Sequence, residues 1–74
     1  MTAPSRPALR HNPAALFRAR MDKGLTQVQL ARLAQISQPY LSTLENGTQS
    51  PSEERLASLA RFLGVAPDSL RAAE

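Results

Sequence analysis

The clearest periodicity in the chain lies toward its carboxyl end, where Leu56, Leu59, Ala60 and Leu63 recur at i, i+3, i+4 and i+7. That spacing gathers the apolar side chains on one face of an α-helix. Gly64 follows directly and suits the left-handed residue that closes a helix. Upstream, Thr48-Gln49-Ser50-Pro51 reads as a polar loop, with either Ser50 or Ser52 able to cap the helix. Leu41 and Leu44 lie one turn apart between a capping Ser37 and the stop Asn46-Gly47, which predicts a helix over about 38–46. Pro39 is tolerated in its first turn, where amides have no intrahelical partner. Thr26 and Gln29 form a capping box that opens a helix running to about Ala34, with Leu30, Ala31 and Ala34 facing inward. Asn12-Pro13 starts the first helix, in which Leu16, Ala19, Arg20 and Lys23 recur at helical spacing until Gly24. Pro67 opens a short last helix around Leu70, and no run has the alternation of a strand.

These elements predict a compact, all-α, five-helix domain over residues 13–74. Residues 1–12 are expected to form a flexible basic arm, because Pro4 and Pro7 block a helix and apolar periodicity begins only at Leu16. A domain of this size buries only about 60% of the surface its unfolded chain exposes, so modest stability is expected. The chain has no cysteine, hence neither a disulfide nor a thiolate metal site. No apolar run approaches a membrane span or a signal-peptide core, and a soluble, cytoplasmic protein is expected.

Charge narrows the class of partner. Residues 1–32 hold Arg6, Arg10, Arg18, Arg20, Lys23 and Arg32 against Asp22 alone. The remainder holds Arg55, Arg61 and Arg71 against Glu45, Glu53, Glu54, Asp68 and Glu74. A basic amino-terminal half suits a polyanion, although a solvated arginine-rich surface has the same composition.

The second and third helices carry more information. Only Gln35 and Ile36 separate Ala34 from Ser37, so the helices must turn sharply and cross in close contact. Ala31 is small enough for the crossing, and Ile36 supplies an apolar plug for the turn. This is helix-turn-helix geometry, with the second of the two helices free to enter a major groove. Any helical hairpin in a small bundle also has caps and inward leucines, so spacing alone leaves both readings open.

The series Leu25-Thr26-Gln27, Leu30-Ala31, Ile36-Ser37-Gln38-Pro39-Tyr40-Leu41-Ser42, Leu44-Glu45-Asn46-Gly47 and Pro51-Ser52 closely resembles the Cro and lambda-repressor superfamily. The resemblance runs from about Leu16 to Leu70, through Leu59-Ala60 and Leu63-Gly64-Val65, without a gap. It implies a small transcriptional regulator that binds double-stranded DNA, usually as a homodimer on a pseudo-palindromic operator. It further implies that Gln27 anchors a phosphate, that Gln38 reads base edges, and that Pro39, Ser42 and Thr43 face the groove. Asn46 and Gly47 would touch backbone phosphate, and Ser37 and Thr48 complete the expected DNA-binding set. The chemistry agrees: free amides at helix N-termini attract phosphate, and a glutamine amide can pair with adenine N6 and N7 together.

Three positions depart from the family pattern. Gln35 stands where glycine is common, and a left-handed glutamine costs about 1 kcal/mol. Pro39 replaces what is often a polar reader. Thr48-Gln49 lacks the frequent lysine or arginine, so the third helix has no basic residue, and positive charge must come from Arg6, Arg10, Arg18, Lys23 or Arg32.

Other residues point away from chemistry. Arg20 shares a face with Leu16, and Glu45 lies one turn after Leu41, which suggests an internal ion pair; the resemblance implies the same pair. His11 is expected to lie alone in a flexible segment without a second metal ligand. Ser37 and Ser42 have no adjacent base, and Glu53-Glu54 suits a helix N-terminus. Tyr40, Phe17 and Phe62 are expected in core or interface packing, while Val65 and Leu70 suit either a dimer seam or the domain's own core. No enzyme, metal or cofactor is expected. The chain would be a regulator without a ligand domain, and the alternative is an antitoxin or adaptor whose main partner is a protein such as a toxin.

Overall fold

A computed structural model describes residues 10–72, and Met1 to Leu9, most of the expected arm, lie outside it. Four α-helices follow one another: α1 (Pro13–Asp22), α2 (Gln27–Ala34), α3 (Gln38–Asn46) and α4 (Glu53–Leu63). Each begins on a side chain that accepts a hydrogen bond from an orphan amide: Asn12, Thr26, Ser37 and Ser52. Thr26 and Gln29 form the complete capping box. Ser52 caps α4, whereas Ser50 turns its hydroxyl to the backbone N–H of Arg10, 2.8 Å away.

The expected fifth helix is instead a four-residue 3₁₀ turn, Pro67–Leu70. Its entry residue, Ala66, has no side-chain cap. Beyond it the chain is drawn into an extended pairing: His11 and Arg71 form an antiparallel bridge. Asn12 N–H donates to Leu70 O at 2.8 Å, and Ala72 N–H donates to Arg10 O at 3.1 Å. The extended pairing takes the amides and carbonyls that a further helical turn would use. Arg71 also reaches Glu53 at 2.5 Å and Asp68 at 2.9 Å, tying the turn to α4. The hydrogen bond to Glu53, then that to Asp68, raises the arginine pKa, which leaves its charge unchanged at any ordinary pH.

The core is built from Leu16, Leu30, Ala31, Ala34, Leu41, Leu44, Leu56, Leu59, Ala60, Leu63 and Leu70, all buried. Leu70 therefore seals this domain's own core, and Val65 packs against it. Helix α3 lies against both α1 and α2, α4 closes the far side against α2, and the 3₁₀ turn fills between α1 and α4. Phe17, expected in core or interface packing, is not in the core. It is 46% exposed, with the Arg20 guanidinium over its ring at 5.3 Å.

His11 is a second departure. It is 1% exposed, with Nε2 2.7 Å from Leu44 O and Nδ1 3.3 Å from Ser50 Oγ. A segment expected to be a free arm is thus held to the domain from Arg10 onward, by hydrogen bonds to the end of α3 and the following loop. Among the described residues no helix is long and apolar enough to cross a membrane.

Candidate nucleic-acid interface

The turn between α2 and α3 is as tight as the spacing required. Gln35 closes α2 with φ +59°, the only positive φ outside glycine among the described residues. Ile36 N–H donates to Ala31 O at 2.9 Å, which folds the chain back over the buried Ala31. Ala31 is buried in the core, so a larger side chain there would have to displace its neighbours.

The crossing brings the N-termini of α2 and α3 together. Gln27 is the first residue of α2 and Gln38 the first of α3. Gln38 Nε2 donates to Gln27 Oε1 at 2.7 Å. Gln27 Nε2 in turn donates to Glu45 Oε1 at 3.1 Å. Glu45 is held from the other side by Arg20, through Nε to Oε2 at 2.6 Å and Nη2 to Oε1 at 3.0 Å. Arg20 also donates to Leu25 O at 2.8 Å. A two-pronged ion pair, 8% and 5% exposed, therefore anchors a line of two amides that ends at the exposed Gln38.

The other end of α3 carries a second oriented amide. Asn46 Oδ1 accepts from Thr48 N–H at 3.0 Å and from Thr48 Oγ1 at 2.8 Å. Its oxygen is thereby engaged inside the turn, which leaves the NH₂ group as the donor to solvent, the polarity an anion requires. Gly47 closes the helix at φ +83°. Within α3, Ser37 spends its hydroxyl on capping Tyr40, and Thr43 Oγ1 donates to Tyr40 O at 2.6 Å. Gln38 and Pro39 are exposed, whereas Ser42 and Thr43 are half-buried.

A family model described as helix-turn-helix matches residues 16–70. The chain belongs to the helix-turn-helix family. The HTH-type transcriptional regulator DdrOP3 of Deinococcus deserti is 50% identical over 46 residues, 62% of this chain and 36% of DdrOP3. Among solved structures, the clp gene regulator ClgR of Corynebacterium glutamicum is similar at 43% identity and a TM-score of 0.73, over 76% of this chain and 60% of ClgR. SinR of Bacillus subtilis, the master regulator for biofilm formation, is similar in its crystal structure with DNA. There the TM-score is 0.74 at 27% identity, over 78% of this chain and 97% of that one. This chain spans less than two thirds of DdrOP3 and of ClgR.

In this helix-turn-helix, Gln27, Ser37, Gln38 and Pro39 gather where α2 and α3 begin, and Asn46, Gly47 and Thr48 gather at the far end of α3. Ser42 and Thr43 lie between these groups on α3. The only charged residue on α3 is Glu45, which is engaged by Arg20. One neighbouring cation escapes sequence reasoning. Arg55 of α4 places its guanidinium 5.9 Å from the Tyr40 ring centroid, on the flank of α3. The pair is separated by a loop and a helix cap, so no helical periodicity signals it.

Proposed function

We propose that the chain is a sequence-specific double-stranded DNA-binding regulator that inserts α3 into the major groove. The observation that carries this reading is the exposed Gln38 at the leading end of α3, held by a hydrogen bond to Gln27 at the leading end of α2. A glutamine held there presents a donor and an acceptor side by side, the pair that adenine complements through N7 and N6. Gln27, with a spare amide proton and the unpaired backbone N–H groups at the start of α2, suits a phosphate. Asn46, its NH₂ turned outward, suits a second phosphate at the opposite end, and Ser37, Pro39, Ser42, Thr43, Gly47 and Thr48 line the path between. Such contacts fix register without reading sequence.

With no free charge on α3, affinity rests on cations outside it, first Arg55 on its flank and Arg10 beside the loop that follows it, whereas Arg18 and Lys23 lie with Leu63, Val65 and Leu70. A single domain of this kind binds weakly. We therefore place it as a homodimer on a pseudo-palindromic operator, with half-sites about 34 Å apart. The test is selection from a random duplex library, followed by a base-by-base affinity profile of the parent and of Gln38→Ala. Loss of adenine preference at one symmetric position in each half-site is expected, with non-specific affinity little changed. Full retention of that preference refutes the assignment. A footprint confined to one half-site at one chain per duplex refutes the dimer.

A further inference from the structure

We infer that Glu45 is a positioning residue for base recognition: through Gln27 it dictates which side of the Gln38 amide faces the DNA as donor and which as acceptor. The inference rests on the groove reading above and concerns the polarity of the contact. An amide is nearly symmetric in shape, so sterics barely distinguish its two flips; its neighbours' hydrogen bonds must decide. The Glu45 carboxylate, engaged by two nitrogens of Arg20, offers acceptors only. It therefore draws the NH₂ of Gln27 toward itself, at 3.1 Å. The Gln27 oxygen is then the atom left to face Gln38, and it draws the Gln38 NH₂ at 2.7 Å. One proton of that NH₂ is thereby used. The other proton and the oxygen of Gln38 remain, in a fixed order along the groove.

The order matters because adenine presents an acceptor, N7, beside a donor, N6. One amide flip matches both atoms, and the opposite flip sets acceptor against acceptor and donor against donor. A helix tip carrying a glutamine with free polarity would lose much of its choice of base. The fold thus transmits the charge of a buried ion pair through two neutral amides to the surface, with every link between 2.6 and 3.1 Å.

Two variants at residue 27 separate this relay from a simple phosphate anchor. The probes are the selected duplex and its single-base substitutes at the Gln38 position, for which the parent should discriminate by about tenfold. Gln27→Lys places a donor-only group between Glu45 and Gln38, which turns the Gln38 oxygen inward. All duplexes should then bind more tightly through the added charge, while discrimination at that base falls to about twofold or less. The exchange Gln27→Glu/Glu45→Gln conserves charge and returns an acceptor to Gln38, so discrimination should stay near tenfold. Circular dichroism of each variant confirms the fold. Full discrimination in Gln27→Lys, or equal loss in both variants, overturns the relay and leaves the groove reading intact. Full discrimination in Gln38→Ala overturns the groove reading and the relay together.

Discussion

Removing Arg20 is the most severe test of how this domain is built. Arg20 is 7% exposed and holds the Glu45 carboxylate, itself 5% exposed, with two hydrogen bonds of 2.6 and 3.0 Å. In Arg20→Ala the carboxylate keeps only the Gln27 amide, and a buried charge stripped of its partner costs about 3–5 kcal/mol. At about 0.05–0.15 kcal/mol per residue, a chain of this length has roughly 4–11 kcal/mol of total stability. The substitution therefore consumes a large share of it. At about 4–8 °C per kcal/mol, even the lower end of that cost predicts a Tm reduction of about 12 °C.

The double variant Arg20→Met/Glu45→Met sharpens the argument. Replacing both charges by apolar groups of similar length removes the desolvation cost along with the attraction, which is often neutral for stability. It still loses the bond from Arg20 to Leu25 O, worth about 0.5–1.5 kcal/mol. The double variant should accordingly be more stable than the single one, by about 1.5 kcal/mol or more from the difference of those costs. Thermal and urea unfolding followed by circular dichroism give both numbers. A single variant melting within about 4 °C of the parent, or a double variant no more stable than the single, would refute the account of a buried, mutually dependent pair.

Three further outcomes follow from the packing. Ala31→Leu should overpack the crossing of α2 and α3 and cost about 1–3 kcal/mol, read from its unfolding curve; an unchanged Tm would mean the crossing has room. His11→Ala should leave the buried Leu44 carbonyl without its side-chain donor and cost about 1–3 kcal/mol in urea unfolding; a cost below about 0.5 kcal/mol would contradict a structural role. Gln35→Gly should relieve the left-handed backbone at φ +59° and stabilise by about 1 kcal/mol, and a lowered Tm would show that the glutamine side chain offsets its strain.

What the amino-acid sequence discloses and what it hides divide along one physical line. The caps at Asn12, Thr26 and Ser37 and the leucine faces of α2, α3 and α4 are short-range features, set by the geometry of one or two helical turns. The left-handed Gln35 is legible only through the family resemblance, which has glycine at that position. His11 is not legible. Its partners, Leu44 and Ser50, lie 33 and 39 positions away, and no period connects them. Nor is the 3₁₀ turn at Pro67–Leu70, whose extension competes with a pairing to Arg10 and Asn12 at the opposite end of the chain. The interface shows the division most sharply. From position alone, Gln27 and Gln38 read as two independent residues, one for phosphate and one for bases. Packed together, the second takes its orientation from the first, and the first from an ion pair spanning 25 positions of sequence. Helical periodicity can locate residues on a face, but hydrogen-bond polarity depends on which donors and acceptors the tertiary fold brings into reach. On the proposed relay, specificity would change through Glu45 or Arg20 without any substitution on the exposed surface of α3.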